Sequence, residues 1–346
     1  MVALSLLSLT FESGYPTQPK CSISDHYDGK KFYNPTHPED QSFWEIVKFL
    51  LTSDKQKWPK SVNNNPHLTL NSDLTQDQVA ITFVNHASVL IQIRGMNILT
   101  DPIWSERASP LSWIGPKRVR APGIPFEKLP RIDVVLISHN HYDHLDLKTV
   151  KRLNDAFKPK FFVPPGDLDL LKDHGIQNVF ELDWWDKQSL SAGVEVQMAP
   201  TQHFSARGLF DSFKSLWGSY VIAFYGHRIY FGGDTACSVH FKDIREKIGP
   251  LDIALLPIGA YEPRWFMKQV HMNPEEAVQA HLDLGSNQSI GIHFGTFQLS
   301  DEQIDQPLID LKIAINKAAL KDSSFIVLPE GNTRLYQLGL APMTAR

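Results

Sequence analysis

The chain of 346 residues contains only two cysteines, Cys21 and Cys237, and neither has another cysteine close to it in sequence. A disulfide framework needs several cysteine pairs, and a thiolate metal site needs cysteines at short spacings such as CxxC. The sequence therefore excludes a disulfide-rich scaffold and gives no support to a cysteine-ligated metal. Two cysteines leave the cellular compartment open.

The chain also lacks a long hydrophobic run. None of its apolar stretches reaches the roughly 20 residues that a membrane-spanning helix needs, so we predict a soluble or peripheral membrane protein. Residues 2–11 are apolar enough for the core of a signal peptide, but no basic residue precedes them and no small-residue cleavage site is evident. A remnant of a signal sequence, an expression artefact and an arm that touches the membrane all stay open.

The chain also has no large excess of positive or negative residues. The 34 Lys and Arg residues against 38 Asp and Glu residues give a net charge of −4, and 42% of the residues are hydrophobic. A nonspecific polyanion binder is expected to be basic, so no nucleic-acid partner is predicted. The composition is that of a globular protein with a sizeable core, and a homodimer is compatible with it.

We predict two parts in the chain, an N-terminal arm and helix over residues 1–78 that wrap a catalytic body over residues 79–346. Residues 12–38 are rich in Pro, Gly, Ser and Asn, which predicts an extended arm. Helical spacing of apolar residues predicts a helix over 40–51. Turn residues predict a loop over 53–78.

Strand and helix patterns form two blocks in the body. We predict one long strand or a bent pair over 81–94, and further strands over 96–100, 133–138, 161–163, 178–182, 194–199, 218–225, 228–232, 252–257, 290–293, 325–328 and 334–338. Helices are predicted over 146–157, 168–174, 240–248, 273–284 and 300–320, the last from a capping-box pattern that begins at Ser300. Each block of strands is followed by helices, which predicts two packed sheets with helices outside.

The strongest chemical signal follows the apolar run 133–137. His139, His141, Asp143 and His144 lie within six residues, directly after this predicted strand. The carboxyl end of a buried strand is where α/β sheets usually present their chemistry. In an extended segment His139 and His141 face the same side and can hold one ion. Asp143 and His144 can then turn toward a neighbouring ion.

Three later strands also end near a metal-capable side chain, namely His203, Asp234 and His293. Together with the loop they suit two divalent ions better than one, because a catalytic zinc usually takes about three protein ligands. The predicted set is His139, His141 and His203 for one metal, Asp143, His144 and His293 for the other, and Asp234 shared by both. The alternative without a metal is disfavoured, since it would leave many buried polar groups unpaired.

These residues resemble the metallo-β-lactamase superfamily, whose αββα sandwich agrees with the two strand–helix blocks. The resemblance implies an α/β (α+β) fold of two packed mixed β-sheets with helices on both outer faces. The sequence is still more similar to the family of N-acylphosphatidylethanolamine-hydrolysing phospholipases D, from about residue 80 to 336. The segments that carry this similarity are 85–89, 99–103, 115–118, 138–146, 181–185, 216–219 and 257–267.

The resemblance implies a zinc-dependent phosphodiesterase of phospholipase D type. It would hydrolyse N-acylphosphatidylethanolamine, or other glycerophospholipids, at a membrane surface, and release N-acylethanolamine and phosphatidic acid. Two zinc ions with a bridging water or hydroxide would be its cofactors, with Asp143 and Asp234 at the reaction centre. Asp234 would position the hydroxide. His271 is the candidate that assists the leaving alkoxide, and a structural histidine is the alternative for that position.

Five further residues are candidates for supporting roles. Tyr142 lies inside the metal loop, where a substrate contact and a packing role are both open. Tyr261 and Arg264 lie in the family-like segment 257–267 and are candidate substrate contacts. Asp101 is expected to accept a hydrogen bond from a ligand imidazole. His86 is expected to lie buried behind the ligands rather than to bind metal.

Two other functions stay open. A hydrolase with the same site can act on a lactone, a cyclic phosphodiester or nucleic acid, although the acidic balance argues against long polyanions. A non-hydrolytic redox or binding protein on the same scaffold is the second. A di-iron redox member of the superfamily is expected to have a carboxylate at the second ligand position, where this chain has His141.

Overall fold

The computed structural model describes residues 23–36, 43–64, 73–208 and 210–338. The apolar stretch 2–11, residues 12–22 and 37–38 of the predicted arm, and residues 65–72 of the predicted loop lie outside the described residues. Helix α1 spans Phe43–Thr52, close to the predicted helix. Within the described ranges, every helix is too short or too polar to cross a bilayer.

One seven-stranded sheet is built largely from the first block of strands. Its strands are β1 (Gln78–Asn85), β2 (Ser88–Ile93), β3 (Met96–Thr100), β4 (Val134–Leu136), β5 (Lys160–Val163), β6 (Val179–Glu181) and β14 (Thr333–Gln337). They are ordered β14-β1-β2-β3-β4-β5-β6. The pairs from β14 to β3 are antiparallel and those from β3 to β6 are parallel.

The second seven-stranded sheet repeats this division. Its strands are β7 (Lys187–Ser191), β8 (Val194–Ala199), β9 (Ser219–Phe224), β10 (His227–Phe231), β11 (Ile253–Pro257), β12 (Gln288–Ile292) and β13 (Phe325–Val327). They are ordered β13-β12-β11-β10-β9-β8-β7. The pairs from β13 to β10 are parallel and those from β10 to β7 are antiparallel, so both sheets are mixed.

Helices occupy the connections between the parallel strands, because a parallel pair needs a crossover. They are α2 (Leu147–Phe157), α3 (Leu168–Asp173), α4 (His240–Ile248), α5 (Arg264–Met267), α6 (Pro274–Leu284) and α7 (Gln306–Lys317), with a 3-10 turn at Phe126–Lys128. At the start of α6, Asn273 and Glu276 form the reciprocal capping box, and Pro274 occupies the first turn.

Three apolar clusters define the layers. One lies between the sheets and joins residues such as Ile81 and Phe83 to Ile222 and Phe231. A second packs the first sheet against α2 and α3, and a third packs the second sheet against α4, α6 and α7. Burial on both faces makes the central strands continuous apolar runs. The predicted αββα sandwich is therefore confirmed.

The segment 81–94 is a hairpin of β1 and β2, which corresponds to the bent pair of the two predicted alternatives, and the chain reverses at His86, whose φ is +48°. Two other details differ from the sequence prediction. The short helix α5 was not predicted, because four residues show no helical period. Strand β7 was missed because it is a polar, largely exposed edge strand without apolar alternation.

The predicted capping box at Ser300 is wrong. Helix α7 begins at Gln306 instead. The Glu302 carboxylate accepts hydrogen bonds from the backbone N–H groups of Ala260 and Glu262, at 2.6 and 3.1 Å. It also accepts one from the Ser300 hydroxyl at 2.7 Å. The side chain is thus committed to the loop after β11 and cannot cap a helix of its own.

The described part of the arm, residues 23–36, packs on the body, and His26 and Asn34 make two of its contacts. His26 lies between Asp25 and Asp183, 2.6 and 2.8 Å from their carboxylates, and stacks on Trp184. Asn34 donates a side-chain hydrogen bond to the carbonyl of His203 at 2.9 Å. The arm therefore reaches the backbone of a predicted metal ligand. The division of the chain at residue 78 stays a prediction.

The contact of His26 predicts a pH-dependent contribution to stability. Burial alone would lower the pKa of His26, but hydrogen bonds to Asp183 and Asp25 raise it above its ordinary value. A histidine whose pKa is raised on folding stabilises the fold, and this stabilisation is fully present below the unfolded pKa of about 6.5. It is lost as the pH rises through the pKa of the folded state. In urea unfolding, His26→Gln should therefore lower the free energy of unfolding more at pH 5.5 than at pH 9. An equal loss at both pH values would contradict this role.

Candidate metal centre

The predicted ligands lie at the carboxyl ends of strands from both sheets. Strand β4 is followed by His139, His141, Asp143 and His144. His203 follows β8, Asp234 follows β10 and His293 follows β12. All seven side chains belong to residues that are 0 to 3% exposed. The two sheets bring these strand ends to one buried place, although the ligands come from distant parts of the sequence.

Gly233 allows the end of β10 to approach the metal loop. Its φ is +56°, and an added Cβ would come within 2.5 Å of the Ser138 Cβ. Glycine adopts this backbone conformation without strain and has no side chain to collide. The next residue, Asp234, can therefore reach the histidines that follow Ser138.

Four donor atoms converge in a first cluster. His139 Nε2 lies 2.7 Å from His141 Nδ1, and His203 Nε2 lies 3.2 Å from the same nitrogen. The Asp234 Oδ2 atom is 4.0 Å from His139 Nε2 and 3.8 Å from His203 Nε2. This arrangement corresponds to the predicted ligand set of one ion.

A second cluster lies on the other side of the same carboxylate. Asp143 Oδ2 is 3.4 Å from both His144 Nε2 and His293 Nε2. Asp234 Oδ2 is 3.1 Å from His144 Nε2, and its Oδ1 is 3.2 Å from His293 Nε2. The structure thus brings all seven predicted ligands together, with Asp234 between the two clusters.

Several polar atoms in these clusters have no hydrogen-bond partner among the described residues. They include His144 Nε2, His293 Nε2, Asp143 Oδ1 and both carboxylate oxygens of Asp234. Buried polar groups without partners are costly, and bound cations would satisfy them. The histidine and aspartate donors therefore fit a binuclear metal site. The assignment of each ligand to one ion stays a prediction.

Hydrogen bonds behind the ligands orient three of the imidazoles. Asp101 Oδ2 lies 2.6 Å from His144 Nδ1 and accepts the Ser138 hydroxyl at 2.6 Å. That hydroxyl then accepts from His139 Nδ1 at 2.8 Å. His203 Nδ1 donates to the carbonyl of Val270 at 2.9 Å. Each bond leaves an Nε2 atom available to a metal, and the hydrogen bond predicted for Asp101 is present.

His86 is buried beside the second cluster. Its Nε2 donates to Asp143 Oδ2 at 2.9 Å, and its ring centroid is 4.0 Å from that of His293. Burial and, to a lesser extent, His293 lower the pKa of His86 to about 3, so this histidine is neutral at pH 7. A neutral imidazole that donates to Asp143 fixes the direction of the carboxylate.

The charges in the site suit metal binding. Burial opposes ionisation of Asp143 and Asp234, but the neighbouring imidazoles, above all His144, hold the pKa of both carboxyls well below the usual range. Burial lowers the pKa of His139 and His141 well below the ordinary value. The carboxylates are therefore ionised and these two imidazoles neutral, which are the forms that bind metals. Burial would lower the pKa of His144 and His293 as well, but the carboxylates of Asp234 and Asp143 raise both above the ordinary value, so a metal at these two imidazoles displaces a proton.

His271 lies beside the first cluster. Its Nδ1 is 3.9 Å from Asp234 Oδ2, and its ring centroid is 5.1 Å from that of His203. Burial lowers the pKa of His271 well below the ordinary value. The imidazole is therefore neutral at pH 7 and carries one N–H donor. A catalytic role for His271 stays a prediction.

The three predicted substrate contacts have partners within the protein. The Tyr142 hydroxyl donates to the carbonyl of Arg207 at 2.9 Å, and the Tyr261 hydroxyl donates to Asp310 at 2.6 Å. Arg264 pairs with Glu276 at 2.7 Å and donates to the carbonyl of His271 at 2.9 Å. Arg264 thus holds the segment that carries His271. Contact of these three side chains with substrate stays a prediction.

Comparison with known proteins agrees with the fold and the site. Residues 96–294 match the family described as the Beta-lactamase superfamily domain. Igni18, a metallo hydrolase from Ignicoccus hospitalis KIN4/I, has the same fold, with a TM-score of 0.57 at 20% identity over 75% of this chain and 98% of that one. The chain thus belongs to the β-lactamase superfamily.

Two relatives narrow this class. N-acyl-phosphatidylethanolamine-hydrolyzing phospholipase D 1 of Caenorhabditis elegans is 40% identical over 293 residues, 81% of this chain and 82% of that protein. The mitochondrial N-acyl-phosphatidylethanolamine-hydrolyzing phospholipase D of Saccharomyces cerevisiae is 35% identical over 240 residues, 67% of this chain and 50% of that protein. This chain belongs to the family of N-acylphosphatidylethanolamine-hydrolysing phospholipases D.

Removing single ligands should change the metal content. We expect about two ions per wild-type chain and about one in His203→Ala, because a site that loses one of about three protein ligands binds weakly. Asp234→Asn should lower the content further, since it weakens both clusters. Elemental analysis after dialysis measures the ratio. His174→Ala, whose ring bonds only the Leu170 carbonyl among the contacts described, is the control. Unchanged metal content in both ligand variants would contradict the ligand set.

Proposed function

We propose that this protein is a zinc-dependent phosphodiesterase that hydrolyses N-acylphosphatidylethanolamine to N-acylethanolamine and phosphatidic acid. The observation that carries the proposal is the Asp234 carboxylate, within 3.2 Å of His144 and His293 and within 4.0 Å of His139 and His203. The substrate is proposed from the similarity to the Caenorhabditis elegans protein, which is 40% identical.

Zinc is the proposed metal because its usual ligands are imidazole nitrogens and carboxylate oxygens at about three positions per catalytic ion. When bound, two such ions would lower the pKa of a water molecule to about 7 and would neutralise charge on a phosphoryl group. The chain provides the two donor clusters for them and buries both in an interior that excludes bulk water.

Asp143, Asp234 and His271 have the proposed catalytic roles. The ionised carboxylates hold the two halves of the centre at a fixed spacing, and Asp234 orients the attacking oxygen. A bond forms between this oxygen and phosphorus, while the bond from phosphorus to the N-acylethanolamine oxygen breaks. The attacking water gives up one proton in this step and the leaving oxygen takes up one proton, so no further reactant is needed. His271, a neutral imidazole beside Asp234, would donate a hydrogen bond to the leaving oxygen through its ring N–H.

We also propose that α1 and α5 contact the membrane that holds the substrate. Phe49 of α1 stacks on Phe266 of α5, with ring centroids 4.4 Å apart. Trp44 and Trp265 are 75% and 42% exposed, and the Lys48 ammonium lies 4.3 Å from the Trp265 ring centroid. Exposed tryptophans beside a lysine are typical of helices that lie at a bilayer surface. Helix α5 leads directly into the segment with His271.

A lipid assay tests the reaction. Metal-loaded protein is expected to release phosphatidic acid and N-acylethanolamine from N-acylphosphatidylethanolamine, and chelator-stripped protein should lose this activity and regain it with zinc. Lipid products are measured by mass spectrometry. Asp234→Asn should lower the rate by at least roughly 100-fold, the scale of losing a catalytic electrostatic contact.

Phosphatidylcholine and a lactone serve as comparison substrates. If neither lipid yields phosphatidic acid in a metal-dependent way, the proposed function is contradicted. Turnover of the lactone instead would favour another hydrolase activity. In the same assay, Trp44→Ser should slow hydrolysis of substrate in vesicles but not of substrate dispersed in detergent. Equal rates of wild type and Trp44→Ser on vesicles would contradict the proposed membrane contact.

A further inference from the structure

Arg207 joins two loops of the metal centre. It follows His203 in the connection between β8 and β9, and it is only 7% exposed. Its Nη1 atom donates hydrogen bonds to the carbonyls of Asn140 and Leu145, at 2.8 and 2.9 Å. These two carbonyls lie on either side of Tyr142, Asp143 and His144. One guanidinium therefore spans the part of the metal loop that turns from the first cluster to the second.

Tyr142 contacts the same arginine from within the loop. The Arg207 guanidinium lies 4.1 Å from the Tyr142 ring centroid, and the Tyr142 hydroxyl donates to the Arg207 carbonyl at 2.9 Å. Cation–π attraction strengthens when the pair is shielded from water. The side chain of each residue thus restrains the other, and both loops are tied at this point.

The surroundings of Arg207 hold it in this position. Asp211 accepts hydrogen bonds from the backbone N–H groups of Arg207 and Gly208, at 3.1 and 2.8 Å. On the other loop, the Asn140 amide donates to the carboxylate of Asp167 at 3.0 Å and to the hydroxyl of Ser215 at 3.1 Å. Both ends of the Arg207 bridge are therefore fixed before any ion binds.

We propose that Arg207, stacked on Tyr142, is a positioning residue that keeps the two ligand loops at metal-binding distance. None of its described contacts is with a predicted ligand atom, and it acts through the backbone carbonyls of Asn140 and Leu145 in the metal loop. The proposal rests on the binuclear metal centre of the proposed function. It gives Tyr142 a role in holding the loop.

Arginine suits this position better than lysine. Its planar guanidinium can stack on a ring while it donates several hydrogen bonds in fixed directions, whereas a lysine ammonium is a flexible point charge. A methionine would leave the carbonyls of Asn140 and Leu145 without this donor, and buried unpaired carbonyls make a loop adopt other conformations. The expected order of metal affinity is Arg, then Lys, then Met at residue 207.

Titration of the metal-free protein with Co²⁺ tests the proposal without any substrate. In Arg207→Met the dissociation constant should rise by roughly 10- to 100-fold, the range for residues that orient metal ligands. The visible absorption spectrum of the bound Co²⁺ should change as well, because ligand geometry sets it. Arg207→Lys should recover part of both. Arg152→Met is the matched control, since Arg152 also lies over a ring, 3.8 Å from the Phe126 centroid, but is exposed.

A milder variant covers the case in which Arg207→Met fails to fold. Tyr142→Phe keeps the ring and removes only the hydroxyl, so Co²⁺ binding should weaken roughly two- to tenfold, the scale of one hydrogen bond. Folded variants of Arg207 and Tyr142 with wild-type Co²⁺ affinity and spectrum would overturn the proposal. A wild-type protein that binds no Co²⁺ would overturn the metal centre with it. If the variants bind Co²⁺ more weakly and the wild-type protein does not hydrolyse N-acylphosphatidylethanolamine, the positioning role is supported and only the proposed substrate is refuted.

Discussion

The Asp234 carboxylate, shared between two groups of buried imidazoles, is the contact on which the rest of the site depends. Its oxygens lie 3.1 Å from His144 Nε2 and 3.2 Å from His293 Nε2, and within 4.0 Å of the first cluster. A buried charge of this kind is stable only when opposite charge surrounds it. In this interior, bound cations would compensate the carboxylates of Asp234 and Asp143 and would bind the Nε2 atoms of the histidines.

The fold supplies the positions that this arrangement needs. Both sheets end at the site, and the apolar cluster between them fixes the relative placement of β4, β8, β10 and β12. Contacts beyond the strands then hold the loops. Asp101 orients His144, Arg207 joins the loops of His139 and His203, and Asn34 of the N-terminal arm bonds the His203 carbonyl. The chemistry of the site therefore depends on residues that bind no metal themselves.

The sequence predicts the layers and the ligands because both depend on local patterns. Buried strands are continuous apolar runs, and each ligand lies just after such a run, so the sandwich and the set from His139 to His293 follow from spacing. Arg207 and Asn34 show no such pattern, because each bonds to a residue that is distant in sequence. The same cause explains the wrong capping box at Ser300, because Glu302 bonds the loop at Ala260 instead.

Crystals of the zinc-loaded protein, with diffraction recorded on both sides of the zinc absorption edge, test the central claim most directly. The account predicts two anomalous peaks roughly 3.5 to 4 Å apart, one on each side of the Asp234 carboxylate, the first beside His139, His141 and His203 and the second beside Asp143, His144 and His293. A single peak, or peaks away from Asp234, would contradict the shared carboxylate and the binuclear centre built on it.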